Sequence, residues 1–175
     1  MKYLFIISLC FLFLMCHKLY ASEFPKDIPD AINGSLFLAT VADNHELRKN
    51  YSELVSTELE EINGLFIIDK KSISNQNQVT NLIKELQKAT SENGPMALCF
   101  RPRHYLSYTS TYGEVNLEIC FECSRVNVSL DGWHKTLSIK KESAQVLNEF
   151  YSNIDLMIPN AVSYTHLTLP TTPYV

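Results

Sequence analysis

The chain is poor in the residues that mark disorder or low complexity. Five glycines and seven prolines among 175 residues exclude a collagen-like or linker-rich protein. It has no block of like charge. Its 15 Lys and Arg are interspersed with 19 Asp and Glu, so nucleic acid is not the expected partner. No internal repeat is visible. Neither GxSxG nor HExxH is present, nor a P-loop or a Gly-rich dinucleotide turn. Ser and Asp are plentiful, but nothing places them beside a histidine. No catalytic constellation therefore argues for an enzyme. The long apolar run, Tyr3 to Met15, falls short of the ~20 residues that a membrane-spanning helix needs, so a transmembrane protein is not expected.

What is present starts with that run. Lys2 precedes it, and polarity rises afterwards towards "LYAS". A charged start, an apolar middle and a small residue at Ala21 predict a signal peptide over residues 1–21 and export to the periplasm or beyond. A rival reading makes Cys16 a lipid anchor; Met15 before it fits poorly, because such signals want a small residue there. The other end, "VSYTHLTLPTTPYV", has no apolar period and almost no charge. Read back into codons, it fits the adapter of transposase-based sequencing libraries. Residues 161–175 are therefore expected to be read-through rather than native sequence.

Between these ends lie roughly 140 residues, enough for one domain with one core. Residues 22–34, with Pro25, Pro29 and Asn33-Gly34, read as an extended lead-in to a domain over 35–160. "SLFLATVA" suits a strand or a helix start. "DNHELRKNYSELVSTELEEING" is ambiguous: Leu47, Tyr51, Leu54 and Val55 suit a helix, yet "SELVSTE" equally suits a half-buried strand. "GLFIID" predicts a buried strand. Val79, Leu82, Ile83 and Leu86 predict an amphipathic helix. "MALCF", "HYLSYTST", "EVNLEICFEC" running on into "SRVNVSL", and "WHKTLSI" predict strands. Turns fall at Tyr112-Gly113 and Asp131-Gly132. A last helix is predicted with Val146, Leu147, Phe150 and Ile154 on one side. The fold class is α+β: an antiparallel meander of about 4–6 strands with two or three helices packed on one face.

The chemistry gathers in "CFRPRHYLSYTSTYGEVNLEICFEC", residues 99–123. The chain without its leader keeps Cys99, Cys120 and Cys123, an odd number for an oxidising compartment. One reading is a disulfide and a leftover thiol. A second is a zinc or copper site of Cys99, His104, Cys120 and Cys123, a Cys₃His set with the four ligands that structural zinc needs. A third is a thiol redox site. Strand alternation weighs against both pairing and shared ligation, since positions three apart on a regular strand face opposite ways; a bulge at "FEC" would remove the objection. Glu118 and Glu122 also make poor neighbours for a reactive thiolate. Arg101 and Arg103 are candidate anion or carboxylate ligands, with Glu114, Glu118 and Glu122 as internal partners across the hairpin. Pro102, Gly113 and Gly132 read as structural. His134, beside Trp133 after a turn, reads as surface rather than ligand, and His45, near a possible cap, has no partner in sequence.

"CFRPRH" followed by "NLEICFEC" resembles a pattern in small exported bacterial proteins of unknown function, which read C-F-x-P-R-H, a short hairpin, then I-C-F-E-C. The similarity covers about residues 52–158. It implies a strand at "SELVSTE" and a site at Cys99, Pro102, Arg103, His104, Cys120 and Cys123, and it supplies no reaction. Members carry Gly after the His, where this chain has Tyr105. The expectation is an exported, non-enzymatic binding or interaction module with a structural Cys/Arg/His cluster on its central hairpin. Its partner would be a protein or small ligand of the cell envelope. The alternatives are a metal-binding protein and a thiol redox protein.

Overall fold

A computed structural model describes residues 27–159. The expected signal peptide, the alternative Cys16 anchor and the expected read-through over 161–175 lie outside that range. Eight strands form one antiparallel sheet: β1 Ala31–Ala42, β2 Glu61–Ile62, β3 Leu65–Ile73, β4 Thr90–Ser91, β5 His104–Ser110, β6 Gly113–Cys120, β7 Arg125–Leu130 and β8 Trp133–Ile139. Their order is β2-β3-β1-β5-β6-β7-β8-β4. Three helices accompany them: α1 Asn44–Asn50, α2 Gln76–Ala89 and α3 Ala144–Asn153. The α+β class stands, with more strands than the expected 4–6. Two of the extra strands are the two-residue edges β2 and β4.

The main core lies between the sheet and helices α2 and α3. Leu36 and Leu38 of β1, Leu106 of β5, Leu117 and Ile119 of β6, and Val126 and Val128 of β7 meet Val79, Leu82, Ile83 and Leu86 of α2 and Leu147 and Tyr151 of α3. Alternation puts every second strand residue on this face. The α2 stripe recurs at three and four residues, as one helix face requires, and the Asn75 side chain caps its start. On α3 the buried face is Leu147 and Tyr151; Val146 is exposed. The expected stripe is thus rotated. Tyr151 buries its ring because its hydroxyl reaches the Ala39 carbonyl at 3.1 Å, which satisfies its polar end.

Three further sequence expectations change. "SELVSTE" is not a strand: Ser52–Leu54 form a 3₁₀ turn after α1, and Leu47, Tyr51 and Leu54 pack with Ala42 and Phe66. "MALCF" is irregular. Pro95 and Pro102 bracket it, and Met96 and Leu98 are exposed, so no apolar face holds it against the sheet. "EVNLEICFEC…SRVNVSL" is two strands, reversed by the turn 121–124, with Cys120 opposite Arg125 and Ser124 at φ 51°.

The predicted turns at Gly113 and Gly132 are present. Asp131 and Gly132 both have positive φ, which a two-residue hairpin of native twist requires. Gly113 has φ 113°, and a Cβ there would run into the Asp131 carboxylate. Gly113→Ala is expected to cost about 1–3 kcal/mol, since non-glycine residues are strained at such φ. A urea titration measures it, and an unchanged midpoint would contradict it.

Candidate functional site

The two ends of the 99–123 segment, residues 99–104 and 119–123, meet at one end of the sheet, where β5 begins and β6 finishes. Because 121–124 is a turn, Cys120 and Cys123 meet and form a disulfide. The alternation argument fails here because the two cysteines are not on one strand. The Cys123 amide donates to Cys120 Sγ at 3.3 Å. Cys99, exposed, places its Sγ 3.4 Å from Cys123 Sγ.

His104 does not join the sulfurs. It opens β5 on the helix side, and its Nε2 lies 3.0 Å from Asn148 Oδ1 on α3. Its ring packs edge-on against Phe121 and Tyr151, with centroids 5.3 and 5.1 Å away. With Asn148 Oδ1 accepting, Nε2 carries the proton. Nδ1 is buried with no hydrogen-bond partner. Burial is the main cause that lowers the His104 pKa to about 4; the Asn148 bond opposes it and the Arg103 charge adds to it. The group is a neutral, packed imidazole. Among the described residues, no three His, Cys, Asp or Glu side chains converge as metal ligands do. The expected Cys₃His set is thus not assembled: two of its sulfurs are bonded to each other, and its histidine faces α3.

Arg101 is half exposed, 3.9 Å from Asp43. Arg103 is tied in much more firmly. It reaches Glu46 of α1 at 3.3 Å and Glu122 of the 121–124 turn at 3.2 Å. Pro102 between them is buried. The backbone of Arg103 also bridges neighbours on both sides, donating to the Ile119 carbonyl and accepting from the Val41 amide, both at 3.0 Å. Of the internal partners expected across the hairpin, Glu122 is the one the fold brings to Arg103. Glu118 instead accepts from Asn63 at 3.0 Å, and Glu114 accepts from Ser107.

The Asn63–Glu118 bond marks a second site that sequence reasoning missed. Asn63 sits in the turn between β2 and β3. Glu118 is on β6, with β1 and β5 between. The sheet must curl strongly for the two to touch. Its face away from α2 and α3 is therefore concave, and it holds a polar groove of about 550 Å³. Asn116, Glu118, Arg125, Asn127, Asp131 and His134 are among the residues that line it. Several groove oxygens are already engaged. Tyr105 donates to Asn116 Oδ1 at 2.5 Å and Thr136 to Asn127 Oδ1 at 3.0 Å. Each of these two amides keeps its nitrogen as a donor. Burial, then the charges of Glu114 and Glu118, push the Tyr105 hydroxyl up to about 12, so it stays a donor. Arg125 stacks on Phe100, 4.9 Å from the ring centre. The one sequence signal was the polar alternate positions on β6, β7 and β8.

Among the described residues, no helix is long and apolar enough to cross a membrane. No family model, curated protein or solved structure gives a significant match to this chain.

Proposed function

We propose that this chain is an exported, non-enzymatic binding module that takes a small oxygen-rich molecule, a polyol or hydroxy acid, into the concave groove. The observation that carries this reading is the groove itself. The Asn116 and Asn127 oxygens accept internally, leaving their nitrogens and the Arg125 guanidinium as donors beside the Glu118 and Asp131 carboxylates. A ligand rich in acceptor oxygens complements them. The Cys/Arg/His cluster then serves as architecture: its arginine, histidine and two of its cysteines are occupied by protein partners. Membership of the small exported family with the C-F-x-P-R-H and I-C-F-E-C pattern is part of the same proposal.

The test is a thermal-shift panel of sugars, polyols and hydroxy acids on the oxidised protein. At least one is expected to raise Tm by several degrees, and Asn127→Ala combined with Arg125→Gln is expected to abolish the rise. A flat response across the panel, or an unchanged rise in the double variant, would remove the groove from consideration.

A further inference from the structure

We infer that Cys99 is the thiol through which the buried Cys120–Cys123 disulfide exchanges electrons with external thiols. Three observations carry this. Cys120 and Cys123 are 2% and 1% exposed, so a thiol in solution has no direct approach to either sulfur. Cys99 is exposed. Its Sγ nonetheless lies 3.4 Å from Cys123 Sγ, in direct sulfur–sulfur contact. The placement is built in: the Ala97 amide donates to the Cys123 carbonyl at 2.9 Å, pinning the irregular 92–103 segment to the turn just ahead of Cys99.

The chemistry balances within the cluster. The Cys99 thiolate attacks Cys123 Sγ, and a Cys99–Cys123 bond forms. The Cys120–Cys123 bond breaks, and its electron pair leaves on Cys120 Sγ, which takes up the proton that Cys99 lost. The protein still holds one disulfide and one thiol, so no oxidant is needed for this step. The disulfide now has one exposed sulfur. An external thiolate attacks Cys99 Sγ, forming a mixed disulfide and releasing Cys123 as a thiolate. A second external thiolate attacks the external sulfur and releases Cys99. Two external thiols become one disulfide, and Cys120 and Cys123 become thiols. The reverse sequence reoxidises the pair with an external disulfide. Cys123 is the shared sulfur of both pairings, Cys99 the entry point and Cys120 the leaving group. This goes beyond the binding module and does not depend on the groove.

The experiment uses the full oxidised protein with glutathione as the thiol, below denaturing conditions, and alkylation with mass spectrometry to count thiols over time. Cys99→Ser is expected to slow reduction of Cys120–Cys123 at least tenfold, at an unchanged Tm. Cys120→Ser supplies an independent reading. It removes the leaving group, so air oxidation is expected to join Cys99 to Cys123, with a loss of two hydrogens. Equal reduction rates in the wild type and Cys99→Ser, or two persisting thiols in folded Cys120→Ser, would overturn the assignment.

Discussion

Replacing Arg103 with methionine is expected to cost the fold about 3–5 kcal/mol, the usual penalty for stripping the partner from a buried charge. Glu46 is that charge. It is 4% exposed on the first turn of α1, and Arg103 reaches it at 3.3 Å. Asn50 also donates to it, but an amide does not neutralise a carboxylate. Glu122 on the other side of Arg103 is a third exposed, and water compensates it, so its share of the loss is small. The diagnostic is a double variant. Arg103→Met with Glu46→Met leaves no charge buried, and such apolar replacements are often neutral or stabilising. The double variant is therefore expected to recover most of what the single one lost. Urea unfolding of wild type, both single variants and the double variant reads this directly. A loss under ~1 kcal/mol for Arg103→Met would mean that Glu46 is solvated after all.

Stability should also fall as the solution is acidified, and His104 sets the range. Its pKa in the fold is lowered from 6.5 to about 4, chiefly by burial between β5 and α3. Around it lie Asn148 and Tyr151 of α3, Phe121 of the turn, and the Arg103 charge beside it in the chain. A lowered folded value means that the unfolded chain binds the proton first. Stability is full above pH 6.5 and drains away as pH falls towards 4. At pH 4.5 the loss amounts to about 2–3 kcal/mol, at ~1.4 kcal/mol per pH unit of separation. Denaturation midpoints at pH 7.5 and 4.5 measure it, with His104→Gln as the comparison. The variant is expected to be weaker at pH 7.5 but to lose less on acidification. Equal acid losses in both proteins would place the sensitivity on other groups.

Much of this framework could be read from the residues alone, and the exceptions share a cause. The α2 helix was legible because Val79, Leu82, Ile83 and Leu86 keep a helical period without interruption. The β7–β8 hairpin was legible because Asp131-Gly132 is a turn that flanking alternation can only fold one way. The "ICFECS" turn was not. Its Phe121 and Cys123 are buried, so it reads as continued strand, and the reversal depends on Ser124 adopting a positive φ that serine rarely takes. "SELVSTE" failed because its two apolar residues, Leu54 and Val55, are adjacent and fix neither a strand nor a helix period. The Arg103–Glu46 pair was hidden by sequence distance. The groove was hidden for a different reason: polar residues on alternate strand positions look the same whether they face open solvent or line a concavity. The curl that distinguishes the two comes from the whole sheet.

The strand order also sets when the fold can form. Among the described residues β1 is the first strand, yet it lies inside the sheet, with Leu38 opposite both Lys71 of β3 and Leu106 of β5. It cannot complete its pairing until β5, far along the chain, has been made. Long-range pairing of this kind slows folding, because loop closure must precede the contacts that reward it. Until then the β1–β3 pair and α2 can pack together, but the centre of the sheet stays open. Until β5 is in place, the free edge of β1 is open to pairing with another chain.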